Sequence, residues 1–182
     1  ALAMVRADYA QARRACAAVA AQASALIGTA CMAQVDGTTG QATTAAKALR
    51  AALQPATGAT PPERLWALTR LAEIEERRGE HAAAEAAFKS ALGLDLTDGY
   101  LLAAYSDFLL DRGRPREVLV LLKDKTRSDL LLLRLALAAK ALGDPALKAW
   151  EADLAARFDA ARLRGDTVHQ KEEARFALGV QG

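Results

Sequence analysis

A chain of 182 residues is long enough to bury one substantial core or to form an elongated stack of helix pairs. Its net charge of +2, with acids and bases interleaved, argues against the clustered basic face of a nucleic-acid binder. No stretch carries the roughly 18 apolar residues of a bilayer-spanning helix, so membrane insertion is not expected. Alanine makes up roughly a quarter of the chain and aromatic residues only 5%, which favours helices over strands. The sequence therefore predicts an all-α protein.

The first predicted helix pair contains both cysteines of the chain. A turn near Ala23-Ser24 separates its two helices, and Ser24 is the predicted cap of the second. Cys16 and Cys31 are equidistant from this turn, so an antiparallel pair would bring them to similar height, and a disulfide between them is geometrically feasible. Such a bond would add about 3 kcal/mol of stability and would indicate an oxidising compartment, such as a bacterial periplasm. The alternative is two buried thiols that pack as small apolar residues, which leaves the cytoplasm open.

The next stretch is predicted to hold two more alanine-rich helices and a break. Helices are predicted over Ser24–Val35 and Thr43–Leu53, joined by the loop Asp36-Gly37-Thr38-Thr39-Gly40. The segment 54–61, rich in proline, glycine and threonine, is a candidate break between these helices and the clearer pattern that follows.

Residues 62–95 carry the clearest helix–turn–helix pattern. The first helix places apolar residues on one face, with a glutamate at its end: Leu65, Leu68, Leu71, Ala72 and Glu75. Gly79 is the predicted turn, and Ala84, Phe88, Ala91 and Leu92 form a stripe on the second helix. This segment resembles a tetratricopeptide repeat, with Trp66 near the family's early aromatic position, although Leu96 stands where the family often has proline. The resemblance implies a right-handed α–α superhelix built from antiparallel helix pairs.

Two degenerate units follow at a similar period. Gly113 and Gly143 lie 34 and 30 residues after the preceding turn glycine. The unit 98–125 places Val118 and Leu122 where the family has a small residue and an aromatic. The unit 127–164 keeps an apolar stripe in its first helix (Leu132, Leu135, Ala136, Ala139), and its unusually long second helix turns Trp150, Leu154 and Phe158 inward. A last helix, capped by Asp166-Thr167, is predicted to run to Gly182. We expect one array over 1–182, cut from a longer solenoid because both ends fall within repeats.

Catalytic and metal-binding patterns are not found in the sequence. His81 and His169 belong to neither an HExxH motif nor a cysteine cluster, and no GxxxxGK[ST] phosphate loop occurs. His169 with Glu172 and Glu173 could form an acid–base pair, but such helical neighbours are frequent by chance. His81 is expected to pack between repeats. We therefore expect no enzyme activity, no cofactor and no metal.

The resemblance implies a binding groove lined by the first helices of successive pairs. The groove candidates are Trp66, Thr69, Glu73, Arg77, Tyr100, Ala103, Asp107, Leu133, Arg134, Leu137 and Lys140. Their mixture of aromatic, apolar and charged side chains suits a protein or peptide partner. Two other functions stay open: a helical accessory domain of a larger multidomain enzyme, and a nucleic-acid-binding helical repeat. The alanine-rich, arginine-over-lysine composition indicates a bacterial source.

Overall fold

The computed structural model describes residues 2–22, 24–54, 58–168 and 170–182. These residues form helices and no strand, which confirms the all-α prediction. The chain divides into two compact units, Ala1–Thr97 and Asp98–Gly182. A single array over 1–182 stays a prediction. The candidate break at 54–61 lies within the first unit, and its residues 55–57 are outside the described ones.

The described residues of the first unit form six helices: α1 (Leu2–Val5), α2 (Tyr9–Gln22), α3 (Ala25–Thr38), α4 (Ala42–Leu53), α5 (Pro61–Arg77) and α6 (His81–Leu92). The second contains α7 (Gly99–Asp111), α8 (Pro115–Leu121), α9 (Asp129–Leu142), α10 (Leu147–Leu163) and α11 (Gln170–Phe176), followed by a π-helical segment, Ala177–Gln181. The final helix thus begins at Gln170 rather than directly after Asp166-Thr167. We call Gln170–Gln181 the C-terminal segment.

The three predicted turn glycines have the backbone conformation that a helix-ending turn needs. Gly79, Gly113 and Gly143 have φ angles of 76°, 65° and 65°. This left-handed region is unfavourable for residues with a Cβ atom, and glycine enters it without steric cost. The turns between α5 and α6, α7 and α8, and α9 and α10 are therefore at the predicted positions.

The stripe of small residues and one aromatic on α6 packs against α5. Ala84, Phe88 and Ala91 are fully buried, as predicted, and Leu92 is half-buried. On α5 the predicted inward residues are also buried, apart from Leu68, which is half-buried. Phe88 is the largest buried side chain of this stripe, and burying a phenylalanine contributes about 1.5–3 kcal/mol.

Glu75 is a charged residue inside this core. Its side chain is 0% exposed, and its two carboxylate oxygens contact the guanidinium groups of Arg50 from α4 and Arg78 from the end of α5. A buried carboxylate without partners would be strongly destabilising, so these two arginines make its position tolerable. They also link α4 to α5.

The α3 helix extends further than the sequence predicted. It runs through Asp36, Gly37 and Thr38, so the predicted loop is wrong for these three residues. Gly37 is buried, and a Cβ atom at this position would lie only 3.0 Å from Cγ1 of Ile74 in α5. Glycine is present here because α3 and α5 approach closely, and it does not break the helix. The chain turns later, at Gly40, whose φ angle is 89°.

The start of α5 is fixed by a hydrogen-bonded carboxylate. The backbone N–H and the hydroxyl of Thr60 donate to Oε2 of Glu63 at 2.6 and 2.9 Å. Hydrogen bonds from the Ser24 hydroxyl and from these two groups of Thr60 lower the pKa of Glu63 below its usual value.

Ser24 itself caps α3, as predicted, because its hydroxyl accepts a hydrogen bond from the N–H of Ile27 at 3.3 Å. The other predicted turn residue, Ala23, lies outside the described residues.

The core of the second unit lies where the degenerate repeats predicted it. Val118 and Leu122 are fully buried, as are Leu154 and Phe158 of the long helix α10, whereas Trp150 is half-buried. The predicted apolar stripe of α9 is also buried.

Candidate functional site

The groove candidates of the first unit lie on α5 and differ in accessibility. Thr69 is only 1% exposed and its hydroxyl donates to the Leu65 carbonyl at 2.8 Å, so it cannot contact a partner directly. Trp66 and Glu73 are half-buried, and both contact Arg70: its guanidinium lies 5.6 Å from the Trp66 ring centre and 2.7 Å from the Glu73 carboxylate. Arg77 is exposed. This surface is a pre-formed stripe of ion-pair and cation–π contacts.

In the second unit, three helices meet at an ionic cluster. The Nε and Nη2 groups of Arg134 in α9 donate to the two carboxylate oxygens of Asp107 in α7 at 3.0 and 2.6 Å. Arg175 of α11 approaches the same carboxylate at 2.8 Å. Arg134 is only 5% exposed and also donates to the Leu130 carbonyl, so its role is internal bridging and it does not fit direct partner contact. The ion pair of Asp107 and Arg134 joins α7 to α9; the sequence had placed the two residues only as separate groove candidates.

The C-terminal segment lies against the predicted groove residues of α9. Nζ of Lys140 donates to the carbonyl oxygen of Val180 at 2.9 Å. Gly179 lies directly over Leu137, because a Cβ atom at this glycine would come within 2.7 Å of Cδ2 of Leu137. The remaining unit-two candidates are divided between surface and core: Tyr100 is 47% exposed, whereas Ala103 and Leu133 are buried.

A cleft of about 520 Å³ opens among these elements. It is apolar over most of its wall, which also includes one carboxylate and one guanidinium, and is lined by Leu110, Asp111, Leu137, Ala174, Arg175, Leu178 and Gly179. Leu178 is 82% exposed beside it. Ligand sites in proteins have this size and this combination of apolar wall and few polar groups. The cleft is therefore a candidate for a binding site in the second unit.

Sequence reasoning identified only Leu137 of the cleft residues. It treated the last helix as the first helix of a further repeat without extending the groove rule to it. The same rule, applied after the predicted cap at Asp166-Thr167, would have placed the last helix beside α9, whereas the contact of Arg175 with Asp107 of α7 had no sequence signal. The π-helical segment had no recognisable sequence signal.

The two histidines do not form a site in the part of the chain that is described. His81 begins α6, as expected, and is exposed, whereas the buried stripe of α6 begins three residues later, at Ala84. The expectation that His81 packs between repeats stays a prediction. His169 lies outside the described residues, and so does any acid–base pair that it forms with Glu172 or Glu173.

Over residues 2–22, 24–54, 58–168 and 170–182, no group of three or more His, Cys, Asp or Glu side chains could hold a metal ion. None of the helices described has the length and apolar character needed to cross a bilayer.

The cysteine pairing foreseen as one of two alternatives is present. Cys16 and Cys31 form a disulfide with a Cα–Cα distance of 5.4 Å, which joins α2 to α3.

No protein-family model matches the chain, and no curated protein or solved structure is significantly similar to it.

Proposed function

We propose that this protein is a non-catalytic scaffold that binds another protein or a peptide on the concave face of a tetratricopeptide-like helical array. Two observations support the repeat architecture. The helix pairs turn at glycines in the left-handed conformation, and Ala84, Phe88 and Ala91 of α6 are buried where α6 packs against α5. Such units stack side by side and leave a continuous face for a partner.

The cleft of the second unit is the observation that supports the binding function most directly. Its wall includes Leu110, Leu137 and Leu178, which can bury an apolar side chain of a partner, while Asp111 and Arg175 of the same wall can pair with polar groups. Interfaces gain most of their affinity from such a buried anchor inside a polar rim. The partner is therefore a segment with a large apolar residue flanked by charged ones.

The disulfide supports a location in an oxidising compartment, such as a bacterial periplasm. Disulfides persist in secreted and envelope proteins and are rare in the reducing cytosol. The partner would then be a protein or peptide of the same compartment.

A peptide-library selection with a matched pair of variants tests the binding proposal. The Leu178→Glu substitution adds a charge to the cleft rim at a side chain that is already 82% exposed, so it leaves the fold intact. Leu163→Glu is the control, since Leu163 is 90% exposed on α10 and does not line the cleft. We expect peptides selected on the wild type to share an apolar anchor and to lose at least tenfold in affinity on Leu178→Glu alone, about 1.4 kcal/mol. Equal affinities for both variants, or no enriched peptide, would contradict the proposal.

A further inference from the structure

The helix α2 lies along α3 but buries few of its side chains there. Of its fourteen residues, only Ala12 and Cys16 are buried. With Val35 of α3 they form a small cluster, against which Tyr9 of α2 and four other residues are partly buried: Ala3, Met4, Cys31 and Met32. The main core of this unit, formed by α3, α4, α5 and α6, has far larger buried side chains.

The polar contacts of α2 with α3 are also weak. Nη2 of Arg13 lies 2.8 Å from the Asp36 carboxylate and 3.0 Å from the Thr39 hydroxyl. The side chains of Arg13 and Asp36 are 38% and 33% exposed, and ion pairs at such positions contribute little because water screens them. One close backbone approach, of Ala20 to Gly28, adds packing but buries no large side chain.

The disulfide is therefore the main attachment of α2. It joins Cys16, near the middle of α2, to Cys31, near the middle of α3. An isolated fourteen-residue helix is only marginally stable in water, even when rich in alanine, so α2 depends on its neighbour to remain ordered.

We propose that the Cys16–Cys31 bond is a redox-operated clip, and that its reduction releases residues 2–22 while α3–α6 stay folded. A thiolate of a dithiol reductant attacks Sγ of Cys31, which is the less buried of the two cysteines. The S–S bond breaks, and Cys16 leaves as a thiolate and takes up a proton. The second thiol of the reductant then loses its proton and resolves the mixed disulfide, so that Cys31 is released as a thiol and the reductant departs as a disulfide. Release uncovers Met32 and Val35 on α3.

Limited trypsin proteolysis of the whole chain tests the clip. Cleavage after Arg13 and Arg14 reports the release of α2, and cleavage after Arg70 and Arg78 in the α5 region reports unfolding of the unit. With dithiothreitol as the reductant, we expect cleavage at Arg13 and Arg14 to become about 100-fold faster, as loss of a cross-link over a loop of this length implies. Cleavage after Arg70 and Arg78 should keep its rate.

A double variant distinguishes the effect of losing the disulfide from any other effect of the reductant. Cys16→Ala/Cys31→Ala should show the fast cleavage at Arg13 and Arg14 without reductant and should not respond to it. Arg13→Lys, which keeps a charge and a trypsin site, is the control with the bond intact and should stay resistant. Unchanged cleavage at these sites after verified reduction would show that packing alone holds α2. A parallel acceleration at the α5 sites would show that the bond stabilises the whole unit cooperatively. Either result overturns the proposal.

Discussion

Replacing Asp107 with asparagine probes the ionic cluster that joins α7, α9 and α11. The substitution keeps the size of the side chain and removes its charge, which leaves the buried guanidinium of Arg134 without its counter-ion. Removing one partner of a buried ion pair costs about 3–5 kcal/mol. Since the Asp107 side chain is 30% exposed, water screens part of this loss, and we expect about 2 kcal/mol of destabilisation.

Replacing the other partner of this ion pair, by Arg134→Met, should destabilise the protein less. Methionine retains most of the apolar stem and removes the buried charge itself, while Asp107 keeps Arg175 and water as partners. We expect a loss of about 1 kcal/mol, the ordinary contribution of the hydrogen bonds. The double variant should be no less stable than Asp107→Asn alone, because the uncompensated charge is then absent.

Urea unfolding followed by tryptophan fluorescence measures these differences. A Trp66→Phe background leaves Trp150 of α10 as the sole tryptophan, so the signal reports the second unit. The midpoints give the free-energy differences if the slopes agree among variants. An Asp107→Asn variant that is as stable as Arg134→Met, or more stable, would refute the reasoning that the buried guanidinium needs this carboxylate.

Three further substitutions test the first unit by thermal unfolding. Gly37→Val should cost about 1–3 kcal/mol, because its side chain would press on Ile74. Phe88→Ala should cost about 3–5 kcal/mol through the cavity it leaves in the core. Thr60→Ala should lower the unfolding temperature at neutral pH, because it removes the hydroxyl hydrogen bond to Glu63. The pKa of Glu63 is lower in the folded state than in the unfolded state. The stability that its ionised carboxylate contributes to the folded protein is therefore fully present above the unfolded-state pKa of Glu63, and it is lost as the pH falls through the folded-state pKa. The Thr60→Ala difference should therefore narrow below about pH 4. A difference that is constant from pH 7 to pH 3 would contradict this origin.

Periodicity and turn residues predicted most of the helices and the turns between them, because both act locally. An apolar stripe that recurs every three or four residues specifies a buried helix face, and a glycine after it specifies the end of the helix. This is why the turns at Gly79 and Gly113 and the buried stripe around Phe88 were predicted correctly. The cysteine pairing was likewise predictable as one of two alternatives, since two residues equally far from one turn lie at similar height along an antiparallel helix pair.

What the sequence could not supply depends on contacts between distant helices. Gly37 was interpreted as a loop residue because a glycine at a close helix crossing looks the same in sequence as one in a turn. Thr69 and Arg134 were placed on a groove, yet both are buried, because a threonine or arginine inside a helix carries no local sign of its burial. Leu178 was missed because its position depends on how the C-terminal segment packs against α9.

Hydrogen–deuterium exchange of the whole chain, with and without a selected peptide, tests the binding proposal most directly. We expect amide exchange to slow on peptide binding at the C-terminal ends of α7 and α9 and in the C-terminal segment, which together surround the cleft, and to stay unchanged in α8. Leu178→Glu should abolish the slowing and Leu163→Glu should preserve it. Protection confined to α8 or to other helices away from the cleft, or equal protection in both variants, would contradict a partner-binding role for this face.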